Sequence, residues 1–292
     1  MRFLCLLVAA PLLAQEVEVP VRAAVATGNP AVVRLVIGVP GATVLGDALS
    51  STGSIVAPSH GWAVADTADG VELIRLPDGL SRSPIPGVAA GASLKAFSAN
   101  GAALALYHQS TGVVVVSGLP NAAETRAAGM PAGAETLAAI TVSSDGRKVL
   151  AADSAGNVFQ WAEAWSPLAG AAGITALELR NSDALLASGD LRLLRQRGDG
   201  ALQVVAQLPL APGPRMASSG DEARVLIPAA DGQSLMVVDL ESAQVTQVRL
   251  EQAISGISAS RGGEFLLGAE NASGAWSLDR DLKLSFLPAA HR

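Results

Sequence analysis

Side chains that could act as a nucleophile or a general base are few in this 292-residue sequence. The histidines are His60, His108 and His291. No G-x-S-x-G motif occurs, the motif that places a nucleophilic serine on the sharp turn of an α/β-hydrolase; GISAS, Gly256 to Ser260, lacks the second glycine. A Ser-His-Asp triad could still be assembled from distant segments, because a triad is defined by its geometry and not by its sequence order.

Each histidine has a structural interpretation beside a catalytic one. His60 stands next to Gly61 in a predicted tight turn, and His291 is the penultimate residue. His108 follows Tyr107 at the end of a predicted strand. It is either a general base on a loop face or a polar residue that ends the strand, and the sequence names no partner for it.

Metal-binding patterns are missing as well. The chain has no H-x-x-x-H, C-x-x-C or H-E-x-x-H motif. The nearest groups of oxygen ligands lack the D-x-D-x-D-G spacing of a calcium loop; they are Asp66 with Asp69, Asp153 with Asn157, and Asp279 with Asp281. We therefore predict no metal, no cofactor and no catalytic residue that sequence alone can name.

One set of polar residues recurs at a corresponding place along the chain. Its members are Asp66, Asp69, His108, Asp153, Asp190, Asp231 and Glu270. If these residues share one face, they form an acidic ring that would bind a cation or a basic partner. Aspartate also shapes turns through its own side chain, and the Asp-Gly pairs at 69–70 and 231–232 favour that simpler interpretation.

The elements that would position these residues repeat about every forty residues. Polar turns such as Ser143-Ser144-Asp145-Gly146 and Ser98-Ala99-Asn100-Gly101 each join two short apolar runs. A second turn in each repeat contains a glycine, and successive glycines are 42, 44, 33, 43 and 42 residues apart; they are Gly70, Gly112, Gly156, Gly189, Gly232 and Gly274. Such a period with several short strands per repeat is typical of β-propeller blades.

Each repeat is predicted to be a four-stranded antiparallel meander. In the clearest copy, strands a to d are expected at Leu137 to Val142, Lys148 to Asp153, Asn157 to Ala162, and near Trp165 to Leu168. Blades pack face to face, so their strands are buried on both sides. That explains unbroken apolar runs such as VVVV, Val113 to Val116.

The predicted fold is an all-β propeller, with seven blades favoured and six as the alternative. Six repeats occupy residues 46–288, and residues 15–45 supply two N-terminal strands that complete a seventh blade or pair with the last one. Either arrangement closes the ring and removes exposed strand edges. Residues 15–292 are then one domain, and we expect a monomer.

The stretch VSSDGRKVLAADSAGNVFQWA, Val142 to Ala162, resembles bacterial WD40 and YVTN-type propeller repeats. LMVVDLESAQV, Leu235 to Val245, is similar to their c–d hairpin. The Gly-His pair of WD40 units is missing, and the Trp-Asp pair is reduced to Trp161-Ala162. The resemblance implies an exported scaffold, a lactonase, a surface-layer repeat or a quinoprotein. The A-x-D-x-x-T-G-K-x-x-W repeat of quinoproteins is absent. The fold alone does not decide between the remaining functions.

Residues 1–14 have the pattern of a secretory signal peptide. Arg2 precedes an apolar stretch from Phe3 to Leu13, and Ala14 precedes polar residues. Cys5, the single cysteine, lies within that stretch, so the mature chain would have no disulfide. We therefore predict a periplasmic or extracellular protein, with no transmembrane segment after the signal is removed.

A net charge of −6 and the lack of any Lys/Arg-rich stretch argue against nucleic-acid binding. The predicted function is an exported, non-catalytic scaffold that binds a protein or a small ligand through one loop face. The alternative is a hydrolase or lactonase with a loop-built active site. A pocket lined by two or more of Asp153, His108, Arg215 and Asp190 would favour the enzyme; a third possibility is a module of an envelope assembly.

Overall fold

The structure is a computed structural model that describes residues 21–27, 32–39, 42–49, 55–58, 62–76, 81–121, 124–180, 183–259, 263–270 and 274–289. Within these ranges every regular element is a β-strand, and no helix is long and apolar enough to cross a membrane. The predicted signal peptide, His60 and His291 lie outside the described residues.

The strands form seven antiparallel sheets, the blades, numbered here in chain order. Blade 1 contains β1 (Val21–Thr27), β2 (Val32–Val39) and β3 (Ala42–Ala48), and blade 2 contains β4 (Ile55–Pro58), β5 (Trp62–Thr67), β6 (Gly70–Arg75) and β7 (Arg82–Pro84). Blade 3 contains β8 (Leu94–Phe97), β9 (Ala103–His108), β10 (Gly112–Ser117) and β11 (Glu124–Gly129). Blade 4 contains β12 (Leu137–Val142), β13 (Val149–Asp153), β14 (Val158–Trp161) and β15 (Trp165–Pro167). Blade 5 contains β16 (Ile174–Arg180), β17 (Asp183–Ser188), β18 (Arg192–Arg197) and β19 (Gln203–Gln207). Blade 6 contains β20 (Ala217–Ser218), β21 (Arg224–Pro228), β22 (Ser234–Asp239) and β23 (Val245–Arg249). Blade 7 contains β24 (Ile254–Ala259), β25 (Phe265–Ala269), β26 (Gly274–Leu278) and β27 (Leu284–Pro288).

The favoured prediction of seven blades is confirmed. In blades 2 to 7 the four strands follow one another in sequence order across the sheet. Blade 1 has three strands in the described part of the chain: β1 pairs with β2, and β2 pairs with β3. The N-terminal strands thus form a blade of their own instead of joining blade 7. A parallel bridge between Leu45 and Ala289 links the two ends of the chain where the ring closes.

The hydrophobic core is divided into seven clusters, one between each pair of neighbouring blades. Strand β9 shows why its sequence does not alternate between apolar and polar residues. Ala103, Ala105 and Tyr107 pack towards blade 4, and Leu104 and Leu106 pack towards blade 2. Since both faces are buried, every position of the strand is apolar until His108.

Blade 4 follows the sequence prediction closely, but one turn of blade 5 does not. Gly189 is not the equivalent of Gly156. Leu191 occupies that place with φ 61°, and its N–H donates to the Ser188 carbonyl oxygen at 3.0 Å, as the N–H of Gly156 does to Asp153. The equivalent residues Gly156 and Leu191 are therefore 35 residues apart, which is still shorter than the other spacings. A leucine in the left-handed region gives no glycine signal in the sequence.

Candidate binding face

The b–c turns and the d–a connections emerge on the same side of the ring, which we call the upper face. Each blade is a meander from the inner strand a to the outer strand d, so the turn between b and c meets the chain that leaves strand d. In blade 4, the N–H of Ile174 donates to the Gly156 carbonyl oxygen at 3.1 Å. In blade 7, the N–H of Glu270 donates to Ala253 at 3.1 Å. In these two blades the b–c turn is therefore in direct contact with a d–a connection.

All seven residues of the predicted ring belong to b–c turns or to the strand ends beside them, but their surroundings differ. Asp69, Asp190, Asp231 and Glu270 are exposed, Asp66 is half-buried, and His108 and Asp153 are buried. A shared face does not make these residues one binding site. A side chain can bind a ligand only where its hydrogen-bonding groups are not already used within the protein. The role of these residues as a binding face stays a prediction.

Two of the aspartates are occupied by their own turns. Asp153 Oδ1 accepts hydrogen bonds from the N–H groups of Ala155 and Asn157 at 3.0 and 2.9 Å, and its Oδ2 accepts from Asn157 Nδ2 at 2.9 Å. Asp231 accepts from the N–H groups of Gln233 and Ser234 and from the Ser234 hydroxyl. The Ser234 bonds hold the pKa of the Asp231 carboxyl below its usual value. Both residues act as turn formers.

Asp190 has a partner within its own loop. Arg192 Nη2 donates to Asp190 Oδ2 at 2.9 Å, and the two side chains are 42% and 71% exposed. An ion pair this exposed contributes about 0.2–1 kcal/mol at most.

Asp66 and His108 belong to a buried group that also includes Lys95. We call these three residues the interblade cluster. Lys95 Nζ donates to Asp66 Oδ2 at 2.8 Å and to the Ala92 carbonyl oxygen at 2.8 Å. The Lys95 side chain is 4% exposed and that of Asp66 is 16% exposed. Asp66 comes from β5 of blade 2, and Lys95 from β8 of blade 3, so the pair crosses a blade boundary.

His108 stands at the end of β9, close to both charges. Burial lowers its pKa; the Asp66 carboxylate offsets this in part, and the Lys95 ammonium lowers the pKa further. Neither His108 Nε2 nor Asp66 Oδ1 has a hydrogen-bond partner among the described residues. These surroundings favour the neutral imidazole over the imidazolium.

A lowered histidine pKa makes the folded state sensitive to acid. Below the ordinary pKa of 6.5, the unfolded chain takes up a proton that the folded chain resists, so the unfolding free energy should fall as the pH drops through that value. The slope reaches at most about 1.4 kcal/mol per pH unit. Urea unfolding of the wild type and of His108→Gln between pH 7.5 and 5 should show a flatter profile for the variant. Parallel profiles would contradict the assignment.

A cleft opens on the upper face between blades 6 and 7. The inner strand of blade 6 is broken: β20 has two residues, and the preceding segment pairs through a separate bridge between Pro212 and Ala229. Pro214 lies in this break and has no N–H to donate to a ladder. The break leaves a volume of about 360 Å³; its lining residues include Pro214, Arg215, Pro228, Ala230, Ile254 and Glu270.

The cleft is mostly apolar, with a charged group at two places on its lining. Arg215 is exposed, and its Nη1 donates to the Ser255 carbonyl oxygen across the blade boundary. Glu270 is exposed in the b–c turn of blade 7. Of the four residues whose convergence would favour an enzyme, Arg215 alone lines this cleft. Lys95 and the cleft itself were missed by sequence analysis; the fragment APGPRM, Ala211 to Met216, was the available signal for the break.

Catalytic and metal-binding arrangements are not seen on the described part of the upper face. No group of three or more His, Cys, Asp or Glu side chains that could hold a metal occurs among the described residues. His108 is the one histidine described, and its Nε2 atom has no hydrogen-bond partner among the described residues. The cleft and the interblade cluster belong to different blade boundaries, so they do not combine into one site.

Comparison with known proteins supports the fold and leaves the activity open. Neither a protein-family model nor a curated protein matches this sequence. The RRP9 WD40 repeats are 14% identical with a TM-score of 0.56, covering 79% of this chain and 78% of that one. The virginiamycin B lyase from Staphylococcus aureus is 12% identical with a TM-score of 0.58, covering 79% and 81%. A streptogramin B lyase is 10% identical with a TM-score of 0.59, covering 95% and 86%. At these identities the similarity shows a β-propeller fold of the kind formed by WD40 repeats.

Proposed function

We propose that this chain is an exported, non-catalytic binding module that takes its ligand in the cleft between blades 6 and 7. The observation that supports it best is the cleft itself, an apolar recess on the loop face with charged groups on its lining. Concave, mostly apolar sites with a few polar groups are the usual form of ligand sites. Export rests on the signal-like residues 1–14.

The enzyme alternative has less support from the geometry. Asp153 and Asp231 are held by their own turns, and Asp190 by Arg192. His108 and Asp66 are close together, but Asp66 is paired with a buried lysine and both are at least half-buried. The lyases among the similar structures share the propeller fold at 10–12% identity, which carries no residue role to this chain.

Filling the cleft should abolish ligand binding without unfolding the protein. Ala230 lines the cleft and is exposed, so Ala230→Trp places an indole in the recess without entering the core. We would screen amino acids, peptides, sugars and lactones by thermal shift. A ligand at a hundred times its Kd stabilises the folded state by about 2.7 kcal/mol, which shifts Tm by several degrees.

The control is Ala155→Trp, an exposed position in the b–c turn of blade 4. We expect at least one compound class to stabilise the wild type and the control, and not Ala230→Trp. If stabilising compounds act equally on all three proteins, the ligand binds elsewhere and the proposed site is wrong. Turnover of a lactone by the wild type that is lost in His108→Gln would favour the enzyme instead.

A further inference from the structure

The cleft presents opposite charges from two different blades. Arg215 belongs to the connection into blade 6, and Glu270 belongs to a turn of blade 7. No ion pair between them is found among the described residues. Both side chains are exposed, so each can exchange its water for a ligand group without the cost of a buried charge.

Arg215 is already oriented towards the cleft. Its Nη1 donates to the Ser255 carbonyl oxygen, which belongs to the inner strand of blade 7. A guanidinium has five N–H donors in a planar fork, so this bond leaves donors for a carboxylate. Glu270 Oε atoms accept hydrogen bonds only, and they suit an ammonium group.

The remaining walls are apolar. Pro214, Pro228, Ile254 and Ile257 line the cleft together with the two charged residues. The volume of about 360 Å³ is at the small end of the range of about 300–1,000 Å³ for ligand sites. A ligand that matches this surface is short, apolar along its length, negative at one end and positive at the other.

We propose that the cleft binds a short apolar peptide in its zwitterionic form, with the carboxylate on Arg215 and the ammonium on Glu270. This inference rests on the proposed function and specifies its ligand class. Charge-assisted hydrogen bonds at both ends favour one direction of the peptide in the cleft. Peptides with a blocked end leave one protein charge without its partner.

The test titrates the full chain with dileucine, N-acetyl-dileucine and dileucine amide by calorimetry. We expect saturable binding of the zwitterion and at least about tenfold weaker binding of each blocked peptide, since each blocked end loses one charge-assisted hydrogen bond. Arg215→Gln should abolish the preference for the acid over the amide while keeping the preference for the free amine. Glu270→Gln should do the reverse. Arg192→Gln, on the same face at blade 5, should change neither.

Three outcomes would overturn the proposal. The first is no saturable binding of dileucine to the wild type up to millimolar concentration. The second is equal affinity for blocked and unblocked peptides, and the third is a loss of both preferences in both variants. If dileucine fails but another compound binds in a manner that Ala230→Trp abolishes, the ligand class is wrong and the cleft remains the binding site. If no compound is sensitive to Ala230→Trp, both proposals fail.

Discussion

Replacing Lys95 by methionine should destabilise the protein by about 3–5 kcal/mol, because it leaves the Asp66 carboxylate without its partner at a blade boundary. The two side chains are 4% and 16% exposed, and Nζ and Oδ2 are 2.8 Å apart. The Lys95 ammonium also donates to the Ala92 carbonyl oxygen, which would lose that donor as well. The shift in the urea unfolding midpoint measures the effect.

The matched control is an ion pair of similar length on the same face. Arg192 and Asp190 are 2.9 Å apart but 42% and 71% exposed, so Arg192→Met should cost less than about 1 kcal/mol. Combining Lys95→Met with Asp66→Leu should recover most of the stability, since a buried pair can often be replaced by apolar residues at little net cost. Similar losses in the two single variants would show that burial does not govern the Lys95 pair.

His108 adds a pH dependence to this experiment. The Lys95 ammonium lowers the His108 pKa, and Asp66 raises it. Without Lys95, the imidazole can take up a proton and supply the positive charge beside Asp66. The loss caused by Lys95→Met should therefore be smaller at pH 5 than at pH 7.5, and adding His108→Gln should remove that difference.

The sequence predicts the four-stranded arrangement of the blades because each strand and turn is encoded by residues close together in the chain. Strand β12 has the predicted bounds, and the other three strands of blade 4 lie within one residue of prediction at each end. Turn residues and short apolar runs encode these elements directly. The VVVV run is correctly interpreted as a strand buried on both faces, since its valines contribute to the clusters on either side of blade 3.

The site could not be predicted to the same extent, because it depends on contacts between blades. Lys95 and Asp66 are 29 residues apart, and no pattern in a single sequence indicates that they meet. The cleft arises where a regular feature fails, at the two-residue strand β20. Leu191 likewise adopts a conformation that its residue type disfavours. The repeat pattern predicts the features that the blades share, and it does not predict where one blade differs from the others.

The close contact between turns on the upper face makes Gly156→Ala the second strongly destabilising change. Gly156 has φ +80°, and an added Cβ would lie 2.7 Å from Gly173 Cα and 2.8 Å from the Ile174 nitrogen. These are backbone atoms, and the Ile174 N–H donates to the Gly156 carbonyl oxygen, so neither segment can move without breaking that bond. We expect a loss of about 2–4 kcal/mol, the sum of left-handed strain and overpacking.

Gly170→Ala separates the two contributions, because Gly170 also has φ +80° and nothing lies within 4 Å of an added Cβ. Its cost should be about 1 kcal/mol, which reflects the backbone conformation alone after the entropy gained in the unfolded chain is subtracted. The difference between the two urea unfolding midpoints then measures how tightly the b–c turn packs on the d–a connection. If both variants lose the same stability, the two turns are not in rigid contact.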